Sequence, residues 1–219
     1  MSDFNVENRN TNANPFFIVM EGIDGSGKST QCELLKTYLE GHRISTALTR
    51  EPGGTELAEK IREITLNPDV RCNDRSEMLL FMASRSAHVE EIIKPALKNG
   101  KTVICDRFYL STFAYQGYGR GLNLNDIGFI NEFATSGLRP DITFVFDIDA
   151  AFSLERTGKT ADRFEDAGLK FMIEVAEGYR ELVKTEENCY LIDASMPVGN
   201  VFLKIKEIID NIFGLEGAV

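Results

Sequence analysis

The sequence predicts an α/β fold in which a parallel sheet of five strands is covered by helices on both faces. Three observations predict it. Short apolar runs alternate with amphipathic segments, no linker-like stretch divides the chain, and 219 residues of 43% hydrophobic content can bury one sizeable core. We therefore expect a single three-layer α/β/α domain over residues 16–215, with a short lid at about residues 156–165.

The predicted strands are apolar runs bounded by turn residues. The first, residues 16–20, is continuously apolar, as is typical of a parallel strand that is buried on both faces. The other four are residues 44–49, 102–105, 142–148 and 189–194.

The predicted helices have apolar residues at helical spacing. They cover residues 29–40, 55–66, 76–99 and a C-terminal stretch through Val201, Ile205, Ile208 and Ile212. We expect Gly41 to end the first helix and Pro95 to bend the third.

The charge of the chain argues against two classes of partner. The formal net charge is -10 and the pI is about 4.8, so nonspecific binding to nucleic acid or to an anionic membrane is disfavoured. The apolar runs are too short to span a bilayer. A local basic pocket for a small phosphorylated ligand is compatible with this charge.

Cysteine usage and the N-terminal segment both indicate a cytoplasmic protein. The four cysteines contain no C-x-x-C pair, which argues against a disulfide framework or a zinc site and predicts free thiols in a reducing compartment. They are Cys32, Cys72, Cys105 and Cys189. Residues 1–15 are polar and Asn-rich, without the features of a targeting signal, and we predict a disordered tail there.

A glycine-rich turn between the first strand and the first helix is the strongest motif. Residues 22–29 match G-x-x-x-x-G-K-[ST], in which backbone N–H groups and a helix N-terminus surround phosphates. We expect Lys28 to reach the β- and γ-phosphates of ATP and Ser29 to ligate Mg²⁺. A chance match is the alternative, and the strand–turn–helix context argues against it. The predicted ATP-binding residues are Gly22, Ile23, Asp24, Gly25, Ser26, Gly27, Lys28, Ser29 and Thr30.

The third strand ends in Asp106 and Arg107, where open α/β sheets bind their ligands. We expect Asp106 to hold Mg²⁺, directly or through water, and Arg107 to bind phosphate with its two-pronged guanidinium. A surface ion pair between the two is the alternative. The chain lacks the N-K-x-D motif of GTPases, and the acidic pair Asp147 and Asp149, which an ATPase could use on water, comes late in the chain.

Four more segments follow the glycine-rich turn in order: "TREPGGT", "LLFMASR", "DRFYLSTFAYQG" and "RTGKTADRFE". With that turn they make the chain resemble the thymidylate kinase family, which has a P-loop NTP hydrolase-like fold. The resemblance covers nearly the whole chain apart from the tail, and "REPGGT" is similar to the bacterial branch. It implies transfer of the γ-phosphoryl group of ATP to dTMP with Mg²⁺, giving dTDP for dTTP synthesis, by a homodimer formed through helix packing.

The resemblance assigns the "LLFMASR" and "DRFYLSTFAYQG" segments to the acceptor nucleotide. Phe81 and Arg85 are four residues apart and share a helical face, so that Phe81 would stack on the base and Arg85 would donate to a ring carbonyl. Core packing is the alternative for Phe81. Base and sugar contacts are implied for Ser111, Thr112, Tyr115 and Gln116. Tyr115 would crowd a 2′-hydroxyl, with core packing again the alternative.

Three further acceptor contacts follow from the same resemblance. Arg50 would lie near the acceptor phosphate and Glu51 near the metal or sugar, at a Glu51–Pro52 bond that is a candidate for the cis form. Asp24 would accept from the 3′-hydroxyl or help to hold Mg²⁺.

Phosphoryl transfer to a monophosphate needs positive charge rather than a general base, because the acceptor is already an anion. The catalytic cations would be Lys28, Arg107 and the lid residues Arg156, Lys159 and Arg163, with Gly158 as a hinge. Bacterial relatives usually carry an arginine cluster in the lid. Lys159 departs from that pattern and leaves open which cation contacts the transferred group. A merely solvated charged loop is the alternative.

Two other functions remain open at this point. One is a kinase for another nucleoside monophosphate or for a deoxynucleoside. With a deoxynucleoside acceptor, which carries no phosphate, Glu51 would act as the base near the 5′-hydroxyl. The other is a non-catalytic ATP-binding module.

Overall fold

Continuous apolar runs form the middle of a parallel sheet in the structure, a computed structural model that describes residues 15–157 and 168–215. The order β2-β3-β1-β4-β5 and the parallel pairing confirm the predicted sheet. The strands are β1 (Phe17–Gly22), β2 (Thr46–Arg50), β3 (Thr102–Asp106), β4 (Ile142–Asp147) and β5 (Cys189–Asp193).

The central strand β1 is buried along its whole length. Its residues pair with β3 on one side, as Phe17 with Val103, and with β4 on the other, as Ile18 with Ile142. Because side chains alternate between the two faces of a strand, burial of every residue requires helices on both faces. The three-layer prediction is confirmed.

Residues 15–157 and 168–215 contain nine α-helices and two π-helical segments. The α-helices are α1 (Lys28–Gly41), α2 (Glu56–Leu66), α3 (Asp74–His88), α4 (Lys94–Lys98), α5 (Tyr109–Thr112), α6 (Leu124–Thr135), α7 (Ala150–Thr157), α8 (Gly168–Val183) and α9 (Val198–Phe213). The π-helical segments are Val89–Ile93 and Phe113–Gly119.

One of the two expectations about helix ends is confirmed, and the other is confirmed only in part. The first helix ends at Gly41, as expected. The predicted helix 76–99 is not one α-helix, because Val89–Ile93 is π-helical and the Lys94 N–H donates to the Val89 carbonyl, five residues back. The cause lies just beyond: Pro95 has no N–H to offer the carbonyl four residues before it, so the α-helical ladder is interrupted there.

The helices pack in three groups. α1 packs on β1, β2 and β3 and on α9, whereas α8 packs on β4, β5 and the π-helical segment Phe113–Gly119. α8 lies directly on that segment, because a Cβ on Gly178 would be 2.7 Å from Tyr118. α2, α3 and α6 pack side by side around a small second core of Met78, Met82, Ile127 and Ala134.

The cysteines are free thiols, as predicted. Within the described part of the chain, no helix combines the length and the apolar character needed to cross a membrane. The N-terminal tail predicted for residues 1–15 lies outside the described residues, except for Pro15.

Candidate active site

The glycine-rich turn connects the end of β1 to the start of α1, as its sequence predicts. Gly22 opens it where β1 passes closest to β4: a Cβ at this position would lie 2.7 Å from the Phe146 carbonyl oxygen. No other residue type fits there without moving a strand. The first residue of α1 is Lys28, so the positive end of the helix faces the turn, as a phosphate site requires.

The Lys28 side chain is buried inside the turn. Its Nζ donates to the Ile23 carbonyl at 2.8 Å and to Ser26 Oγ at 3.5 Å. Burial and the nearby Arg107 guanidinium lower the pKa of Lys28 to about 8, against the opposing effect of Asp24. An anion that enters the turn would therefore stabilise the charged form of Lys28.

The two predicted metal ligands lie together. Ser29 Oγ donates a 2.5 Å hydrogen bond to Asp106 Oδ2 at the carboxyl end of β3. The alternative of a surface ion pair between Asp106 and Arg107 is wrong, because Asp106 contacts Ser29 while the Arg107 guanidinium binds Asp24. Arg107 itself has a positive φ of 72°, which turns the chain sharply after the strand.

The Arg107 guanidinium links β1, the glycine-rich turn and the segment after β3. It donates to the Gly22 carbonyl at 2.7 Å and to Asp24 Oδ1 at 2.6 Å. Further hydrogen bonds reach the hydroxyls of Ser111, Tyr115 and Tyr179. Burial would raise the pKa of Asp24, but Arg107 and Lys28 hold it at about 2.

Two adjoining cavities open at this edge of the sheet. We call the first the phosphate-loop cavity; it is lined by Asp24, Gly25, Gly27, Lys28, Ser29, Thr30, Arg50, Glu51, Arg62, Asp106, Arg107 and Arg156. We call the second the aromatic cavity; it is lined by Asp24, Glu51, Pro52, Arg62, Leu66, Phe81, Arg85, Arg107, Phe108, Ser111, Thr112, Tyr115 and Gln116. Asp24, Glu51, Arg62 and Arg107 belong to both and form their shared boundary.

All of the residues predicted for the acceptor except Arg50 line the aromatic cavity. Thr112 and Gln116 both line it, on a helical segment that is π-helical from Phe113 onwards. Phe81 is half-buried and packs against the core as well as lining the cavity, and Tyr115 is also both core and cavity wall. The two interpretations of each ring are therefore compatible.

Arg85 is held by a buried network. Its Nε donates to Glu51 Oε2 at 2.8 Å, and its two terminal nitrogens donate to Asn131 Oδ1 and to the Phe108 carbonyl. The other Glu51 oxygen, Oε1, is 3.0 Å from His88 Nδ1. Burial would raise the pKa of Glu51, but Arg85 and His88 lower it below its ordinary value. The Glu51–Pro52 bond is cis.

Arg50 lies in the phosphate-loop cavity and not in the aromatic one. Its guanidinium forms a two-pronged pair with Glu59, at 3.0 and 3.1 Å. The sequence reasoning missed Arg62, which lines both cavities and donates to the Pro52 carbonyl at 3.1 Å. A signal was present, because Arg62 is four residues after Ala58 and so falls on the apolar side of a predicted amphipathic helix.

Glu21 was also missed, although a charged residue at the end of the apolar run "FFIVM" is itself a signal. It is fully buried and accepts hydrogen bonds from the Phe108 N–H at 2.9 Å and from the Ser111 hydroxyl at 2.6 Å. The Tyr179 hydroxyl donates to it at 3.1 Å. Glu21 therefore fixes the chain after β3 against α8.

Of the predicted lid residues only Arg156 is described. It is exposed, lines the phosphate-loop cavity and stacks on Phe152, 4.5 Å from the ring centre. Gly158, Lys159 and Arg163 lie outside the described residues.

The acidic pair that an ATPase could use has structural roles. Asp147 pairs with Arg180 at 2.8 Å, and Asp149 accepts from the N–H groups of Ala151 and Phe152 at the start of α7. Neither carboxylate belongs to the lining described for the two cavities.

The chain is similar to known proteins over most of its length. A family model described as thymidylate kinase matches residues 20–205. A thymidylate kinase of Thermosipho africanus is 47% identical over 195 residues, which cover 89% of this chain and 97% of that one. One of Finegoldia magna is 45% identical over 88% of this chain and 97% of its own length. A crystal structure of the thymidylate kinase of Ehrlichia chaffeensis superposes with a TM-score of 0.75 at 35% identity, covering 90% of this chain and 100% of that one.

Proposed function

Because the chain belongs to the thymidylate kinase family, we propose that it transfers the γ-phosphoryl group of ATP to dTMP, giving dTDP. One observation supports this above the others: the phosphate-loop cavity and the aromatic cavity meet along a shared boundary of Asp24, Glu51, Arg62 and Arg107. A donor nucleotide in one and an acceptor nucleotide in the other would bring their phosphates together at that boundary.

The donor side rests on the glycine-rich turn. The backbone N–H groups of the turn and the N-terminus of α1 favour the phosphates of ATP. Lys28, already at the centre of the turn, would exchange its hydrogen bond to the Ile23 carbonyl for the β- and γ-phosphate oxygens.

The residues at the end of β3 suit Mg²⁺. Ser29 Oγ and Asp106 are both oxygen ligands, and both line the phosphate-loop cavity. In the described part of the chain, no group of three His, Cys, Asp or Glu side chains could hold a metal alone. This fits Mg²⁺, which proteins usually bind through one or two side chains and the phosphates of the nucleotide. The bound ion would neutralise phosphate charge; Asp106 and Ser29 would hold it.

The aromatic cavity suits a pyrimidine monophosphate. Phe81 offers a flat apolar ring to the base, Arg85 and Gln116 offer polar groups to its edge, and Tyr115 stands beside Asp24 where a sugar would lie. Arg62 and Arg107 supply positive charge for the acceptor phosphate at the boundary.

Glu51 distinguishes a monophosphate acceptor from a deoxynucleoside. A deoxynucleoside kinase needs a carboxylate that removes a proton from the 5′-hydroxyl. Both oxygens of Glu51 are already occupied, by Arg85 and His88, and its pKa is lowered. It is therefore a weak base with no free oxygen. A monophosphate needs no base, and the cations of the boundary, with Arg156, Lys159 and Arg163 of the proposed lid, would offset the repulsion between the two anions.

The test is a coupled assay of ADP release with ATP, Mg²⁺ and one acceptor at a time. We expect dTMP to give a kcat/KM at least about tenfold above that of dCMP or UMP, and thymidine to give no turnover. Equal turnover with dCMP would contradict the thymidylate assignment, and ATP binding without phosphorylation of any acceptor would leave only a binding module. Phe81→Leu keeps apolar volume but removes the ring, so it should raise the KM for dTMP and leave that for ATP unchanged.

We also propose that the protein is a homodimer through α2, α3 and α6. These neighbouring helices expose large apolar side chains, most of all Phe129 and Phe133, which share one face of α6 and are 79% and 85% exposed. Leu57, Ile64 and Leu79 continue this surface onto α2 and α3. Exposed large apolar side chains on three neighbouring helices are typical of an interface between subunits.

Light scattering after size exclusion tests the dimer. Phe133→Asp should shift the mass to that of a monomer. Leu203→Asp on α9 is the matched control, because Leu203 is a similarly exposed apolar residue, at 61%, away from this surface. A dimer that persists in Phe133→Asp would contradict the proposed interface. A cytoplasmic location belongs to the same proposal, supported by the four free thiols.

A further inference from the structure

The Gln116 side chain lines the aromatic cavity and is held from behind by Glu77 of α3. Gln116 Nε2 donates a 2.9 Å hydrogen bond to Glu77 Oε1, and the two residues are 2% and 0% exposed. Within the described part of the chain this is the one hydrogen bond of the Gln116 side-chain amide. Glu77 does not belong to the lining described for either cavity. Glu77 can therefore act on a ligand in the aromatic cavity through Gln116, which does line it.

The chemistry of a carboxylate determines which end of the amide faces it. An ionised carboxyl group only accepts hydrogen bonds, so the NH₂ group of Gln116 must face Glu77. The opposite orientation would place two acceptor oxygens 2.9 Å apart. The Arg120 guanidinium, with Nε 3.6 Å from Glu77 Oε1, provides the positive charge that such a buried carboxylate needs. The side-chain carbonyl oxygen of Gln116 is thereby left to face the aromatic cavity.

We propose that Glu77 is a positioning residue that fixes the Gln116 amide with its carbonyl oxygen towards the base, and so selects a base with a hydrogen on its ring nitrogen. This inference rests on the proposed function. Thymine carries N3–H, which donates to a carbonyl oxygen, whereas the N3 of cytosine is a lone pair, which the same oxygen repels. A glutamine without a fixed partner could rotate its amide and serve either base.

Arg85 and Gln116 would then read different atoms of the base. A guanidinium has only donors, so Arg85 favours a ring carbonyl such as O4 of thymine over the amino group of cytosine. Gln116 reads the neighbouring N3. A glutamine amide, unlike a guanidinium, has a donor end and an acceptor end, so it could present either one to N3. Glu77 fixes which end of Gln116 faces the base.

The test is Glu77→Gln, which keeps the size of the side chain and offers either a donor or an acceptor to Gln116. The substrates are dTMP and 5-methyl-dCMP, which share the methyl group and differ at the edge that Arg85 and Gln116 would read. We expect the ratio of kcat/KM for dTMP to kcat/KM for 5-methyl-dCMP to fall at least about tenfold, while the KM for ATP stays unchanged. The reason is that 5-methyl-dCMP is mismatched at both Arg85 and Gln116, and the substitution relieves the mismatch at Gln116. An unchanged ratio in a folded variant would overturn the proposal.

Asp74→Asn is the matched control. Asp74 is on the same helix and its carboxylate is also 3.6 Å from Arg120 Nε, but it makes no hydrogen bond to Gln116. The control removes a negative charge beside the same guanidinium, and we expect the ratio to stay at the wild-type value. A fall equal to that of Glu77→Gln would assign the effect to charge and overturn the positioning role.

A double variant with the two side chains exchanged, Glu77→Gln with Gln116→Glu, gives a sharper test. A carboxylate at position 116 can only accept, so it again presents an acceptor to N3–H while the new glutamine donates to it from behind. The preference for dTMP should rise above that of Glu77→Gln alone; no rise, with both proteins folded, would contradict the mechanism.

If Glu77→Gln does not fold, the wild-type protein still tests the proposal by calorimetry with dTMP and its 3-deaza analogue, in which C–H replaces N3–H. We expect at least about tenfold weaker binding of the analogue, and equal binding would overturn the proposal. A wild-type protein that phosphorylates no pyrimidine monophosphate would instead refute the proposed function. Normal dTMP turnover with an unchanged ratio in Glu77→Gln would refute this inference alone.

Discussion

The Arg107 guanidinium and the Asp24 carboxylate form a 2.6 Å ion pair at the boundary between the two cavities. The pair joins the end of β3 to the glycine-rich turn, so the group that would meet the acceptor phosphate is oriented from the donor side. The pKa of Asp24, about 2, means that this pair persists throughout the usable pH range.

Removing the charge of Asp24 should release Arg107. We expect Asp24→Asn to lower kcat/KM for dTMP by about 10- to 100-fold, since a largely buried guanidinium loses its charged partner. Asp147→Asn is the control, because Asp147 forms a comparable 2.8 Å pair with Arg180 outside both cavities. Steady-state kinetics of the two variants measure kcat/KM, and their melting temperatures show whether both remain folded. Equal losses of kcat/KM would contradict a specific role for Asp24.

Nucleotide binding should weaken as Lys28 loses its proton. The pKa of Lys28 is about 8 in the free protein, so most Lys28 is charged at pH 7 and most is neutral at pH 9. ATP prefers the charged form, so its binding at pH 9 must take up a proton, and its apparent Kd should be about tenfold higher there than at pH 7. Calorimetry in buffers of different ionisation heat measures this uptake. Lys28→Arg stays charged over the range and should show none.

His88 should affect the acceptor more than the donor. Its Nδ1 donates to Glu51, and its Nε2 is 2.6 Å from Thr49 Oγ1, so it secures the carboxylate that orients Arg85. We expect His88→Ala to raise the KM for dTMP about tenfold, with a smaller change for ATP. His88→Asn should restore much of the loss, because an asparagine amide nitrogen falls near the position of Nδ1. Equal KM values in both variants would indicate a purely structural role.

Arg62 should bind the acceptor phosphate. Burial and the nearby Arg50 lower the pKa of Arg62, so an anion at the boundary would relieve the crowding of positive charge. We expect Arg62→Ala to raise the KM for dTMP about 10- to 100-fold. Lys60→Ala is the control, since Lys60 is on the same helix but is exposed and paired with Glu56. A similar KM in the two variants would exclude Arg62 from phosphate binding.

The sequence predicted the parts of the molecule whose structure is determined by residues close to one another along the chain. The apolar run before Gly22 and the helix from Lys28 define the glycine-rich turn locally, and the carboxyl end of β3 places Asp106 beside Ser29 by the geometry of a parallel sheet. Phe81 and Arg85 share a helical face, so they reach the same cavity.

The parts that it missed depend on partners far along the chain. Glu51 pairs with residues 34 and 37 positions away, and Glu77 with one 39 positions away, and no local pattern specifies such contacts. The pair of Arg50 with Glu59, which holds Arg50 in the phosphate-loop cavity, was not predicted either, while a position of Arg50 near the acceptor phosphate stays a prediction. The π-helical turns were missed because they share their apolar residues with ordinary helices.

The close approach of α8 to Tyr118 at Gly178 gives the aromatic cavity one stiff wall. That wall carries Tyr115 and Gln116 and is tightly packed, because a Cβ on Gly178 would meet the Tyr118 side chain and a Cβ on Gly119 would meet the Phe171 side chain. The part of the lining that α3 contributes through Phe81 is more compliant, since Met78 and Met82 on the same helix have unbranched side chains that repack readily. Inhibitors that are enlarged towards α3 should therefore keep their affinity better than those enlarged towards α8.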